Sequence, residues 1–452
     1  MLMSIDRAGT GSRDARLRRQ QGQGLLALSA ALLLLMTPLL IVVDTFNGAL
    51  LRGAGISGLS QAVKMAYLAL LACYALHTRS GVLVLCACIV SNAVFVLVHS
   101  LADVSVGSVM DDAQWLLRFN ILWLGYHAFA RMTRDGLVDS RWLFKCFGWV
   151  SAVLFANLLL GTLGYGYSQY GKSSDSEQIG AVGFIYAGNE MSFMILLCQV
   201  ILCGMLYHQK GRMVPYLVVC ALFLLASVLK ATKVAILGSV IVALAFPAIE
   251  MFRGALSFKM SSMRGPIIGF VAIVLVLAAS PLIIQLVEST GLFRRIEYFF
   301  HEYGLAFVIF SGREEFTREF LSGVWSQYSV VEYVFGPGRH EMLLRLGHPV
   351  EIDVFDIVGS FGLLGLLLYY GPFIWAWCKG SRALLRSSDA LTISLVLSSI
   401  LLLVSVTAGH VIYSGLAAPY LAAAFGYLFS TASPPSVGRS ARSENGGASH
   451  AG

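Results

Sequence analysis

Apolar runs of about 20 residues recur along this chain from Gly24 to Ser430, separated by short segments that carry most of the charge. A run of that length crosses a hydrocarbon core about 30 Å thick as an α-helix. The residues do not alternate as the strands of a membrane barrel would. The pattern predicts twelve spans, at about 24–43, 62–76, 81–100, 114–130, 143–164, 183–207, 214–230, 233–250, 266–287, 357–378, 391–409 and 411–430. The expected fold class is therefore all-α, a polytopic transmembrane helical bundle. Spans one to nine occupy 24–287, and spans ten to twelve occupy 357–430. Between them, residues 288–356 break the rhythm and read as a large, partly helical external loop. Residues 1–23 form a basic tail, and the Ser, Gly and Pro-rich segment 431–452 reads as a disordered one. The run after residue 23 is too long for a signal peptide and reads as a retained anchor.

Composition sharpens this picture. Of 452 residues, 57% are hydrophobic and only 13% charged, where a soluble domain carries roughly 25%. Mean hydropathy is +0.75. Soluble enzymes, nucleic-acid binders and secreted domains are excluded. The eight cysteines lie within or beside apolar runs, with no CxxC pair and no disulfide framework. The net charge of +7 becomes informative once placed: with the N-terminus inside, 20 of the 32 Lys and Arg fall in short segments on one side. That bias puts both termini in the cytoplasm.

The remaining basic residues point to the outer side. Six lie in the external loop. Lys230 and Lys233 occupy the turn between spans seven and eight; three apart, they can point the same way and suit a phosphate, unless they merely snorkel to headgroups. Arg118 lies inside span four, where a centred arginine costs roughly 2.5–3.5 kcal/mol. Such a residue faces the bundle interior and has a partner. Glu190 of span six sits at similar depth, so the two are expected to be near one another, with Asn189 adjacent. A structural ion pair is the plainer alternative. His410, alone in the last external turn, reads as structural.

The loop has internal pattern. Its aromatics at 298–310 suit an interfacial belt at the membrane surface. Ser311-Gly312-Arg313-Glu314 matches a capping box, with apolar residues following at helical spacing. Arg313 would then sit in a first helical turn, where a cation is disfavoured unless an anion binds there. Gly336-Pro337-Gly338 marks a turn, followed by Arg339, His340, Arg345 and His348. Glu351, Asp353 and Asp356 then place three carboxylates within six residues at the mouth of span ten. Positions 353 and 356 share a helix face, and their repulsion needs an offset from a cation, a raised pKa or ligand hydroxyls. A divalent-metal site is a weaker alternative, since this spacing is not diagnostic of one. These polar groups converge at one depth near the outer surface. A transporter would place them at the midplane between internal repeats, and no repeat is present.

In these residues and their order the chain resembles the O-antigen polymerase and O-antigen ligase superfamily of bacterial envelope enzymes, over roughly residues 180–375. The likeness rests on Gly183-Phe184 with Gly188-Asn189-Glu190, Lys230-Ala231-Thr232-Lys233, Ser311-Gly312-Arg313 and Phe335-Gly336-Pro337-Gly338. It continues with His348 and the three carboxylates, ahead of Phe361-Gly362-x-x-Gly365. The resemblance implies a nucleotide-independent and metal-independent glycosyltransferase of the bacterial cytoplasmic (inner) membrane, without a cofactor. It would act outside that membrane on glycan carried by undecaprenyl diphosphate, among membrane lipids and beside chain-length regulator and flippase proteins, with no nucleic acid. Ligases of this superfamily have a His-Asn sequence in the loop. Here His348 lacks that Asn and a carboxylate cluster follows, which favours a polymerase of exopolysaccharide, capsule or O-antigen repeat units over a ligase. A transporter or flippase of lipid-linked glycan is the competing class.

The expected roles follow. Glu351 or Asp353, with His348 next, takes a proton from the acceptor hydroxyl. Arg313, Lys230, Lys233 and Arg118 hold the departing diphosphate. Asn189, Glu190, Asp356 and Arg339 line the substrate site, and the apolar spans supply room for polyprenyl tails.

Overall fold

The structure, a computed structural model, describes residues 10–102, 105–170, 179–185, 187–209, 211–256, 292–385 and 388–432, with scattered positions between 267 and 288. Helices stand where the apolar runs predict them: α1 (Thr10–Ala54), α2 (Leu59–Leu76), α3 (Arg79–Ala102), α4 (Val106–Arg134) and α5 (Ser140–Thr162). A small antiparallel hairpin follows, β1 (Tyr167–Tyr170) with β2 (Ile179–Gly183), then α6 (Gly188–Tyr207), α7 (Met213–Lys230) and α8 (Lys233–Leu256). Among the described residues nine helices are long and apolar enough to cross a membrane, as expected of a membrane protein.

Three of the twelve expected spans are not among those nine. Span nine, at 266–287, lies mostly outside the described residues. Span four is helical, but Gln114, Arg118, Asn120 and His127 interrupt its apolar character. Span twelve is shorter than expected: residues 408–417 form an irregular turn, and helix begins only at Ala418. The start expected at 183 for span six is likewise taken by β2, and helix begins at Gly188.

The loop is more ordered than its polarity suggests. It comprises α9 (Leu292–Phe310), broken at Gly304 (φ 83°, ψ −178°), and α10 (Arg313–Glu319), which continues through a π turn and a 3-10 turn to Gln327. Then come α11 (Val330–Phe335) and α12 (Arg339–Leu346). Phe320, Val324, Tyr328, Met342, Leu346 and Val350 give this region its own apolar core. The chain re-enters the bundle as α13 (Asp353–Ser381), α14 (Asp389–Thr407) and α15 (Ala418–Thr431).

The bundle is organised around α6, whose apolar window is 94% buried. Its sequence is apolar on every side, which only a helix enclosed by neighbours can satisfy; α5, α7, α8 and α14 surround it. The second close unit is α15 lying along α4. A Cβ at Gly426 would stand 2.7 Å from Phe129 Cβ and 2.9 Å from Ala130 N, so glycine is what lets the two backbones approach.

Two glycine motifs fasten the loop to the bundle. In α13 the helix is interrupted at Gly362 (φ 64°, ψ −166°), and a side chain there would strike the Val334 carbonyl at 2.5 Å. The Gly336-Pro337-Gly338 turn seats on this break, with Gly338 N–H donating to Ser360 O at 3.0 Å. From the other side, His99 of α3 bonds Asp112 Oδ2 of α4 at 2.5 Å through Nδ1 and Phe335 O at 3.0 Å through Nε2. Asp112 Oδ1 accepts the Arg339 backbone N–H at 2.8 Å. Buried groups of three helices thus fix where α12 begins, and with it the position of Arg339.

Candidate functional site

The end of the bundle that carries the loop holds a cluster of arginines. Arg339 begins α12 with its guanidinium 4.0 Å over the Trp115 ring of α4. Tyr413 stacks on the same indole, with ring centroids 3.7 Å apart. Burial lowers the pKa of Arg339, opposed by Tyr413 and Asp356. One turn along α4 from Trp115, the Arg118 side chain lies over Gly415 of the 408–417 turn. Neither guanidinium has a hydrogen bond or ion pair with any described residue. Arg313 joins from α10: Nη2 donates to Glu351 Oε2 at 2.9 Å and Nη1 to Phe310 O at 3.3 Å. Its buried Nε has no partner.

His410 stands among them. Its ring is held at a pKa of about 4 chiefly by burial; Glu351 opposes this, while Arg313, Arg339 and Arg118 reinforce it. The imidazole is therefore neutral near neutral pH. Nδ1 is 2.7 Å from the Tyr413 hydroxyl, and that hydroxyl donates to Asp356 Oδ2 at 3.3 Å. Nε2 has no partner among the described residues.

Backbone strain gathers at the same end. Among the described residues, Ala231, Ser311, Glu351 and His410 are the non-glycine residues with positive φ, at 55°, 60°, 63° and 62°. For non-glycine residues this region costs of order 1–3 kcal/mol each and is kept where surroundings demand it. Gly409, next to His410, lies so close to the Glu351 backbone that a Cβ on it would meet Glu351 O at 2.3 Å.

The three carboxylates separate in role. Asp353 is fully buried and accepts the backbone N–H groups of His410, Val411 (3.1 Å) and Ile412 (3.0 Å). It holds the 408–417 turn and is closed to a substrate, contrary to its expected role as base. Asp356, also buried, accepts Val350 N–H at 2.8 Å and the Tyr413 hydroxyl. Backbone and hydroxyl dipoles offset the expected repulsion between this pair. Glu351 alone is substantially open, its side chain 39% exposed.

Other expected residues fall elsewhere. Lys230 and Lys233 do not point together. Ala231 in the left-handed conformation reverses the chain between them, so buried Lys230 donates to Gln169 of the hairpin while Lys233 donates to Val308 O and to Ser311 Oγ at 2.9 Å. Ser311 is consequently not a helix cap. Gly312 occupies that position, and the capping box of the loop is Ser329 with Glu332. His348 packs at a tilt against Phe316, with ring centroids 4.2 Å apart, and approaches Glu319 at 3.2 Å, within the loop itself. Asn189 donates to Ala408 O at 2.6 Å. Glu190 accepts from Ser414 at 2.8 Å, and Arg118 is the positive charge acting most strongly on it. The two approach through Ser414 and Gly415 without direct contact. His410, Tyr413, Ser414 and Trp115 were not expected at the site; in sequence each is an isolated polar or aromatic residue beside an apolar run.

No family model matches this sequence, and no curated protein matches it. Among the described residues no group of three or more His, Cys, Asp or Glu is arranged to hold a metal ion.

Proposed function

We propose that this protein is a membrane glycosyltransferase that polymerises oligosaccharide repeat units linked to undecaprenyl diphosphate, working on the outer face of the bacterial cytoplasmic membrane. The observation that carries the reading is the arginine cluster. Two guanidinium groups with no acceptor among the described residues stand with a third whose buried Nε has none there either, in a half-buried setting. Arginine presents a planar fork of donors that matches phosphate oxygens, and donors left open in a desolvated place call for an anionic ligand.

In this reading the acceptor sugar hydroxyl attacks the anomeric carbon of the second carrier-linked chain. A new carbon–oxygen bond forms, the anomeric bond to the diphosphate breaks, and the diphosphate leaves with the electron pair. Arg118, Arg313 and Arg339 stabilise that departing charge. Glu351 accepts the hydroxyl proton, with the neutral His410 ring orienting the hydroxyl beside it. A single displacement inverts the anomeric centre. Arg313 touches Glu351 through Nη2, so it ties the base to the arginine cluster.

The test is the length and sidedness of carrier-linked glycan in a strain lacking the gene. Single repeat units stranded on the outer face support the proposal. Full-length polymer left on its carrier would make the protein a ligase, and units confined to the cytoplasmic face would make it a flippase.

A further inference from the structure

A groove of about 470 Å³ runs between α4, α13 and α15, deeper in the bundle than the arginine cluster. Its wall on α4 is Leu122, Trp123 and Tyr126, on α13 it includes Gly371 and Pro372, and on α15 it includes Phe425. The hollow has a local cause. Pro372 has no N–H to donate to the carbonyl four residues back, and Gly371 contributes no side chain. A Cβ added at Gly371 would meet only Leu367 Cδ1, at 3.9 Å.

Position ties this groove to the cluster. Leu122 lies four residues after Arg118 on the same face of α4, a separation of about 6 Å along the axis. Phe119 and Tyr369, with rings 3.8 Å apart, bring α4 and α13 together just above it. A chain attached to a group held at Arg118 would pass this ring pair and reach the groove within about one helical turn.

We infer that this groove is the binding site for the first isoprene units of the polyprenyl carrier whose diphosphate the arginines hold. The inference rests on the proposed function and specifies where its lipid lies. An ordinary phospholipid chain is the competing occupant, with its headgroup at the opposite mouth, where Lys379 stands 4.8 Å from the Trp375 ring and 4.6 Å from that of Phe429.

The experiment measures binding of undecaprenyl diphosphate and of dimethylallyl diphosphate, which has one isoprene unit, to the full-length protein in lipid nanodiscs. Wild type is compared with Gly371→Ala, Gly371→Leu, Gly371→Phe and Arg339→Gln. Affinity for the long-tailed ligand should fall progressively with side-chain size at 371, reaching about tenfold or more in Gly371→Phe. Affinity for the one-unit ligand should stay unchanged across that series, and Arg339→Gln should weaken both. Unchanged long-tail affinity in Gly371→Phe assigns the groove to bulk lipid and overturns the inference while leaving the proposed function standing. Equal loss of both ligands in the 371 series also overturns it, because the defect then lies at the diphosphate. A wild-type protein that binds neither ligand removes the proposed function and the inference with it.

Discussion

The two ends of the bundle treat their arginines differently. At the end away from the loop, Arg253 of α8 donates to Ala383 O at 2.5 Å and to the Thr392 hydroxyl. Around it the Tyr207 hydroxyl bonds Glu250 and His208 pairs with Asp389 at 3.1 Å. Those groups close on one another and tie α6, α8 and α14 together. At the loop end Arg118 and Arg339 have no such acceptor among the described residues, nor has the Arg313 Nε, and strained backbone stands beside them. Polarity is present at both ends, but among the described residues the half-buried arginines that lack a hydrogen-bond acceptor, Arg118 and Arg339, stand at the loop end. A satisfied cluster fastens helices; an unsatisfied one of the same residue type is what a ligand site looks like.

Substitutions can break this contrast. The largest effect is expected from Arg339→Ala, which should reduce polymer formation by about 10²–10³-fold while the protein still inserts, read as glycan length per unit of membrane protein. Arg253→Ala should do the reverse, lowering the thermal unfolding midpoint in detergent with polymer per folded molecule within about threefold of wild type. Equal losses of polymer in the two variants would erase the distinction. Glu351→Gln comes next, with turnover down about 10²-fold and carrier affinity kept.

Asp353→Asn sharpens the separation among the carboxylates. Replacing a buried acceptor of three N–H groups should cost about 1–3 kcal/mol, measured by unfolding, with turnover per folded molecule retained. Turnover lost without any stability change would instead return Asp353 to the chemistry. The smallest effect concerns His410. Its folded pKa of about 4 lies below the ordinary value of 6.5, so the unfolded chain binds more protons between those values. The stability it contributes is full above about pH 6.5 and is lost as pH falls toward 4. His410→Asn, which cannot titrate there, should make the acid loss of stability shallower across that window. An unchanged slope would mean that the ring is not held neutral.

Most of the bundle was legible because a membrane helix is written locally, as about 20 consecutive apolar residues. The errors fall where tertiary contact overrides that signal. Val411–Ala417 is as apolar as a span, yet Asp353 gathers the N–H groups of residues 410–412 into a turn, and helix starts later. The hairpin at 167–183 was missed, and so was the burial of Lys230 against it. For the site, the nearness of Arg118 to Glu190 was legible from their shared depth, but not that the two stop short of an ion pair. The split of Lys230 from Lys233 was not, because spacing along a helix means nothing across the left-handed Ala231. Nor was the role of Asp112 and His99, which act on a segment more than 220 residues away in sequence.

The central claim is that the open arginines form an anion site, and its most direct test is titration of the purified full-length protein with inorganic diphosphate. Saturable binding should appear in wild type and in Arg253→Gln and vanish in the double variant Arg118→Gln, Arg339→Gln. Binding that survives in the double variant, or that is lost equally in Arg253→Gln, would contradict the account.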